Sequence, residues 1–137
     1  MAGLTSRSAV RIAGNVATGL FVVAIALQLL LAAGVLPITM AWGGTQTVLT
    51  PGLRLASVAA AVILVLFAYV IRRRAGLAGS DPPSRTIRIL AWLITGFLVL
   101  NTLGNVVSPS PGERVVFAPL SFLTAVACFV VAIPREA

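Results

Sequence analysis

The sequence contains no histidine and no lysine, and it has only three acidic residues, Asp81, Glu113 and Glu136, and one cysteine, Cys128. Metal centres and Ser–His–acid triads need His, Cys or clustered carboxylates, so the sequence offers no constellation of those kinds. A lone cysteine forms no internal disulfide, and Cys128 is expected to be a small core residue. We therefore expect no metal, no cofactor and no enzyme activity.

Charged residues are scarce as well. They make up 9% of the 137 residues, while 59% are apolar and the mean hydropathy is +1.08. A soluble domain carries roughly a quarter charged residues, so this composition excludes a soluble enzyme, a disordered tail and a fibrous protein. What remains is an integral membrane protein of about one domain's length, with residues 1–137 forming a single membrane domain.

Long apolar runs are present in place of charge. Four apolar runs cover about 12–36, 53–71, 89–107 and 115–133, and their one charged residue is Arg54 at the start of the second. A helix rises about 1.5 Å per residue, so about 20 residues cross a hydrocarbon core of about 30 Å. Because lipid offers no partner to backbone groups, helices are favoured over strands. The sequence predicts an all-α fold, an integral membrane four-helix bundle of two hairpins, whose long first helix tilts or projects outward.

The positive charge comes from ten arginines, which give a net charge of +7. Because these arginines flank the apolar runs, they indicate topology and not a nucleic-acid partner. Eight of the ten arginines lie before the first run, between the second and third runs or after the fourth, which puts them on one side of the membrane. Arg54 and Arg114 lie on the other side. The positive-inside rule places both termini in the cytoplasm. The arginine-only, Ala- and Val-rich usage is typical of a bacterial protein, which predicts a multi-pass protein of the bacterial cytoplasmic (inner) membrane.

Turn residues mark the starts of three helices. Ser110-Pro111-Gly112-Glu113 places Ser at the N-cap, Pro at the first position and Glu at the third, which is a capping box. Thr50-Pro51-Gly52 begins the second helix in the same way without the Glu, and Ser84 is placed to cap the third.

The two halves of the chain resemble each other, which predicts an internal duplication of residues 6–74 and 84–135. The matching pairs are Ser6–Ile12 with Ser84–Ile89, Thr18–Val22 with Thr95–Val99, and Thr50–Arg54 with Ser110–Arg114. The alternative is that membrane hairpins share composition and caps without common descent. A duplication would relate the halves by a pseudo-twofold axis along the membrane normal and set Gln28 opposite Asn105.

Polar side chains inside a membrane span are costly, so they are candidates for function. The densest set lies in the third run and faces a stripe of small residues in the fourth; the candidates are Thr95, Asn101, Thr102 and Asn105, with Ser121 and Thr124. They either line a path for a polar solute or form hydrogen bonds between helices. Gln28 in the first run is expected to make one interhelical hydrogen bond, with a ligand contact as the alternative.

Glu113 is the acid placed on the outer side of the membrane. At a helix start its charge is favoured by the helix dipole, so structural capping is one interpretation. The other is an outer rim in which Arg54 and Arg114 join Glu113 and bind an anion or a lipid headgroup. Arg72–Arg74, on the inner side, would in addition attract anionic lipid.

The segments Leu100–Asn105, Ser110–Arg114 and Pro119-Leu120 resemble a pattern in small uncharacterised bacterial four-span membrane proteins. The resemblance covers roughly the last forty residues and implies no activity. It implies a structural corner formed by Asn101, Asn105 and Glu113, in which Asn105 bonds the turn before the fourth helix.

Three functions stay open at this point. The first is a structural or accessory membrane protein that binds another membrane protein or itself, favoured by the missing catalytic chemistry and the small-residue stripe. The second is a transporter or channel for a neutral or anionic solute, lined by Thr95, Asn101 and Asn105. The third is a lipid- or small-ligand-binding module with Arg54 or Arg114 at the rim of a lateral groove.

Overall fold

The computed structural model describes residues 3–135, and all regular secondary structure in that range is helical. The long helices are α1 (Arg7–Ala33), α2 (Pro51–Ala75), α3 (Arg85–Val107) and α4 (Ala118–Ala132), and α4 continues from a π-helical turn, Glu113–Phe117. Two short 3₁₀ turns, Ile38–Met40 and Trp42–Gly44, lie in the α1–α2 connection. Four segments are long and apolar enough to cross a membrane, which confirms the predicted all-α four-helix membrane fold.

The helices begin and end differently from the apolar runs. At one end of the bundle α1 starts at Arg7, α2 continues to Ala75 and α3 starts at Arg85, because the flanking arginines are themselves helical. α1 stops at Ala33, short of the predicted end at residue 36, because Gly34 adopts the left-handed conformation (φ 78°) and caps the helix. Residues 34–36 of the first predicted span are therefore connection, but α1, with 27 residues, is still the longest of the four helices.

Hydroxyl caps fix the starts of three helices. Ser6, Thr50 and Ser84 each accept a hydrogen bond from the backbone N–H three residues later. Such a cap satisfies one of the N–H groups that a helix start leaves without a partner. The predicted caps Thr50 and Ser84 are confirmed.

The four helices pack unevenly against one another, and we call the contact between two neighbouring helices a seam. α1 packs along α2 and also against α4, and α3 packs along α4, whereas α2 and α3 touch least among neighbours. α4 lies centrally because small side chains let its backbone approach the others; its buried residues include Ala118, Ser121, Thr124, Ala125, Cys128 and Ala132. The predicted small stripe of the fourth helix therefore faces the bundle.

The unequal seams bear on the predicted duplication. A twofold axis that exchanged the two hairpins would make the α1–α4 and α2–α3 seams equivalent, but the first is closed and the second is open. The bundle as a whole is therefore not twofold symmetric. The internal duplication stays a prediction from the sequence.

We call the end of the bundle that holds the α2–α3 connection the arginine end. There Arg74, which is 5% exposed, donates hydrogen bonds to the carbonyls of Ala132 (3.2 Å) and Ile133 (3.0 Å). Arg135 in turn donates to the carbonyl of Arg74 (2.7 Å). These guanidiniums satisfy carbonyls that helix ends leave unpaired, a structural role beyond the topological one predicted from the sequence.

One close approach holds α1 against α2. A Cβ placed at Gly14 would lie 2.7 Å from the Cβ of Ala75 and 2.8 Å from Cδ1 of Leu77, so the two backbones meet here without room for a side chain. Gly19, five residues further along the same helix, has nothing within 4 Å of such a Cβ. The two glycines therefore form a matched pair for a test of this seam.

We predict that Gly14→Ala lowers the thermal midpoint of the protein in detergent micelles, because overpacking costs about 1–3 kcal/mol. Gly19→Ala should leave the midpoint unchanged or raise it, since alanine exceeds glycine by up to about 1 kcal/mol in helix propensity. Circular dichroism at 222 nm during heating measures both. Equal midpoints for the two variants would contradict the packing described for α1 and α2.

Candidate functional site

A cavity of about 350 Å³ lies between all four helices at the end of the bundle opposite the arginine end. The α1–α2 and α3–α4 connections meet at this end, which we call the far end. Along α3 the cavity extends from Asn105 to Phe97, and along α4 it extends to Thr124. Phe97 is ten residues from the end of α3 at Val107, so the cavity is about 15 Å deep.

Most of the polar residues singled out in the sequence meet in this one cavity. Its polar lining consists of Gln28, Asn101, Asn105, Glu113, Ser121 and Thr124. Four helical segments contribute to it, although these residues are up to 96 positions apart in the chain (124 − 28). The implied corner of Asn101, Asn105 and Glu113 is therefore a wall of the cavity, and the side chain of Asn105 makes no hydrogen bond to the turn before α4.

The other candidates lie outside the cavity. Thr95 is buried and donates its hydroxyl to the carbonyl of Ala91 (2.8 Å). The hydroxyl of Thr102 lies 3.0 Å from that of Ser121, a contact between α3 and α4 of the kind expected for interhelical bonding. Thr95 therefore bonds within its own helix, Thr102 contacts α4, and neither threonine lines the cavity.

The predicted outer rim is not assembled. Arg54 is exposed, and its guanidinium donates to the carbonyl of Ala32 (2.9 Å) at the end of α1. Arg114 is exposed, and neither arginine lines the cavity. Glu113 lines the cavity and bonds other groups, so the proposed anion site of Arg54, Glu113 and Arg114 has no support from their placement.

Three amides in the cavity have unused hydrogen-bonding capacity. The hydroxyls of Ser121 and Thr124 donate to carbonyls of their own helix, at 2.8 Å and 2.7 Å. By contrast, Oε1 of Gln28 is buried without a hydrogen-bond partner. Within residues 3–135 the side chains of Asn101 and Asn105 also make no hydrogen bond. The expected interhelical bond of Gln28 is absent, and a buried unpaired polar atom costs about 1–3 kcal/mol.

Three phenylalanines close the cavity toward the arginine end, and we call them the aromatic floor. Phe21 and Phe67 meet edge to face with ring centroids 6.4 Å apart, and Phe67 meets Phe97 in the same way at 5.5 Å. Beyond this floor most of the buried core is made of small and aliphatic side chains, including Val10, Ala17, Ile71, Ala91, Ile94, Cys128 and Val131. The cavity is therefore confined to the far half of the bundle.

The segment Ile38–Gly44 covers the cavity at the far end, and we call it the roof. Ala41 and Trp42 line the cavity from this side, and the indole N–H of Trp42 donates to the hydroxyl of Ser57 (3.1 Å), which is fully buried. Trp42, Gly43 and Gly44 all have positive φ angles, of 55°, 82° and 71°. A tryptophan rarely adopts this conformation, so the surrounding contacts hold the turn in place.

Glu113 is the main anchor of the roof. Its carboxylate accepts a hydrogen bond from the backbone N–H of Gly43 (3.0 Å) and another from the hydroxyl of Ser108. Ser110 caps the N–H of Glu113 as predicted, at 3.4 Å, but the Glu113 carboxylate does not return to Ser110. The capping box is therefore half formed, because the carboxylate bonds the roof instead.

Two glycines let the roof lie directly on the α3–α4 connection. A Cβ at Gly44 would lie 2.6 Å from the Cβ of Ser110, and a Cβ at Gly112 would lie 2.8 Å from the Cα of Met40. The hydroxyl of Ser110 also donates to the carbonyl of Thr39 (2.8 Å). Backbone thus meets backbone where the two hairpin connections cross.

The π-helical turn before α4 positions the residues on this side of the cavity. Pro119 has no N–H to donate to the carbonyl of Val115, and its ring excludes an ordinary α turn before it. The wider turn relieves this conflict, and the N–H of Ala118 bonds the carbonyl of Glu113 five residues earlier. Glu113 and Phe117, at the two ends of the turn, both line the cavity.

Sequence reasoning missed the aromatic lining, the roof and the π turn. Pro119 within the fourth run was an available signal for a distorted helix, and Trp42-Gly43-Gly44 was one for an unusual turn. Phe21, Phe67 and Phe97 carried no signal, because apolar residues are abundant on every face of a membrane helix.

Comparison with known proteins finds no matching family, no matching curated protein and no matching solved structure. The architecture and the site define the class to which the chain belongs: an all-helical bundle of four membrane-length helices with a cavity in one half. Fold alone does not determine function, so any functional conclusion rests on this cavity.

We predict that Glu113→Ala loosens the roof. Removing the charged acceptor of the Gly43 N–H lowers local stability by about 1.5–3 kcal/mol. Amide hydrogens of the roof should therefore exchange at least about tenfold faster. Hydrogen–deuterium exchange of peptides covering residues 38–44 measures this. Arg114→Ala, which changes an exposed neighbour, is the control and should leave exchange unaltered; unchanged protection in Glu113→Ala would refute the anchoring role.

Proposed function

We propose that the chain is a small multi-pass membrane protein that binds an amphipathic small molecule, whose uncharged head group donates hydrogen bonds inside the cavity. The observation that carries this proposal is the set of three amides that line the cavity, Gln28, Asn101 and Asn105, since none of these side chains makes a hydrogen bond within residues 3–135. Small-molecule pockets span about 300–1,000 Å³ and combine an apolar lining with a few convergent polar groups. The cavity, at about 350 Å³, lies within that range.

The lining also supports an uncharged head group. Glu113 is its one ionisable side chain, and no arginine lines it. An anionic head would be repelled by this carboxylate and would find no guanidinium to pair with. A hydroxyl or amide head satisfies Gln28 and the two asparagines without introducing a charge into the membrane.

The other two functions weighed from the sequence receive less support. A transport path would have to cross the aromatic floor and the core beyond it, which fill the other half of the bundle. A purely structural role leaves the unpaired Oε1 of Gln28 unexplained, because buried polar groups normally have a hydrogen-bond partner. Association with itself or with another membrane protein is compatible with ligand binding and is a separate property.

For the orientation, we propose a bacterial cytoplasmic membrane with both termini and the α2–α3 connection in the cytoplasm. Eight arginines lie at the arginine end and two at the far end, which supports this by the positive-inside rule. The cavity would then lie in the outer half of the bilayer.

This topology predicts a labelling pattern for single cysteines in a Cys128→Ala background. Thr47→Cys, in the exposed α1–α2 connection, should react with a membrane-impermeant maleimide on intact bacterial cells. Ser80→Cys, in the exposed α2–α3 connection, should react only after permeabilisation. The reverse pattern would overturn the proposed orientation.

The binding proposal predicts opposite effects of Gln28→Leu on binding and stability. Affinity for 1-hexanoylglycerol, an uncharged diol probe, should fall about tenfold, because a neutral hydrogen bond with an otherwise unpaired buried acceptor is lost. The thermal midpoint should stay equal or rise, because leucine fills the site without an unpaired polar atom. Native mass spectrometry gives the affinity, and circular dichroism gives the midpoint.

Asn15→Leu is the matched control, since Asn15 is exposed on the same helix and does not line the cavity. It should leave probe affinity unchanged. The proposal fails if the unmodified protein does not bind 1-hexanoylglycerol, or if Gln28→Leu destabilises the protein while binding persists.

A further inference from the structure

A second space of about 350 Å³ lies between α2 and α3, on the arginine side of the aromatic floor. We call it the α2–α3 groove. Its walls are apolar side chains, among them Leu66, Val70, Leu90 and Leu93. Leu66 and Leu93 are 57% and 63% exposed in the isolated chain, so the groove opens toward the surrounding lipid.

The groove and the cavity share two walls. Phe67 and Phe97 line both spaces, and their rings, with centroids 5.5 Å apart, stand between them. α2 and α3 pack least among neighbouring helices, so this aromatic pair is a main contact across an otherwise open seam. Rotation of one ring about its side-chain torsions would join the two spaces.

The joined space extends along most of α3. Asn105 in the cavity and Leu90 in the groove lie 15 residues apart on α3 (105 − 90), which corresponds to about 22 Å of helix. α3 as a whole has 23 residues, which correspond to about 34 Å, so the joined space begins near the far end and extends past the middle of the helix. Polar groups occupy the end near Asn105, and apolar walls occupy the part toward the arginine end.

We infer that the ligand is a single-chain lipid with an uncharged hydroxyl or amide head, and that it enters sideways from the bilayer between α2 and α3. The head reaches Gln28, Asn101 and Asn105, and the chain passes the Phe67–Phe97 pair and occupies the groove. This inference rests on the proposed function. A single furrow between two helices accommodates one chain, and the site is polar at one end and apolar along the rest, as a single-chain lipid is.

Two neighbouring residues of α2 provide the test. Leu66 lines the groove, whereas Val65, which is 52% exposed, lines neither space. Leu66→Trp should fill the groove, and Val65→Trp adds the same side chain elsewhere on the lipid-facing surface. The probes are 1-hexanoylglycerol, whose chain is too short to pass the aromatic pair, and 1-palmitoylglycerol, which has the same head.

In the unmodified protein, native mass spectrometry from nanodiscs should show that 1-palmitoylglycerol binds about tenfold or more tightly than 1-hexanoylglycerol, because more apolar surface is buried. Leu66→Trp should remove this advantage and leave the affinity for 1-hexanoylglycerol unchanged. Val65→Trp should alter neither affinity.

The failures of the two proposals are distinguishable. If the unmodified protein binds neither probe, the proposed function fails. If 1-hexanoylglycerol binds but Leu66→Trp keeps the full preference for the long chain, only the groove assignment is overturned. If Leu66→Trp changes the oligomeric state and not the chain-length preference, the groove is a protein contact, which also overturns the inference.

Discussion

In the core of a bilayer, a backbone N–H or C=O without a partner costs several kcal/mol, so every helix end near the membrane must find one within the protein. Most of the conspicuous polar contacts in this bundle answer that demand. Hydroxyls of Ser6, Thr50 and Ser84 cap helix starts, and Arg54 and Arg74 bind carbonyls at helix ends. Three buried side-chain atoms within residues 3–135 have no hydrogen-bond partner, Oε1 of Gln28 and the Nε atoms of Arg74 and Arg135, and among these three residues Gln28 alone lines the cavity.

Side-chain size decides where the bundle is closed and where it is open. At the arginine end alanines, Cys128 and the close approach at Gly14 let the helices pack directly against each other. Toward the far end, phenylalanines and a folded-back connection separate them. Bulky rings that meet edge to face hold helices apart without filling all the space between them. A cavity in one half and a packed core in the other follow from this distribution.

The roof links the cavity to the two hairpin connections. The carboxylate of Glu113 accepts the N–H of Gly43, and the hydroxyl of Ser110 bonds the carbonyl of Thr39, so the first connection is fixed on the second. The open α2–α3 seam, with the groove beside it, offers a route from the surrounding lipid toward the site. The ligand that we propose, an uncharged lipid, already resides in the bilayer and would meet this seam directly.

Hydropathy and run length were enough to predict four membrane helices, and turn residues were enough to predict the caps at Thr50 and Ser84, because these properties depend on neighbours in the chain and on the surrounding lipid. Gln28, Asn101, Asn105 and Glu113 come together only in the tertiary structure. Their meeting depends on which face each helix turns toward the bundle and on how the two hairpins are aligned along their length. The sequence could not distinguish the phenylalanines of the floor from those facing lipid, because both environments are apolar. Only the folded chain shows which polar atoms remain without a partner, because pairing depends on distances between segments that lie far apart in the sequence.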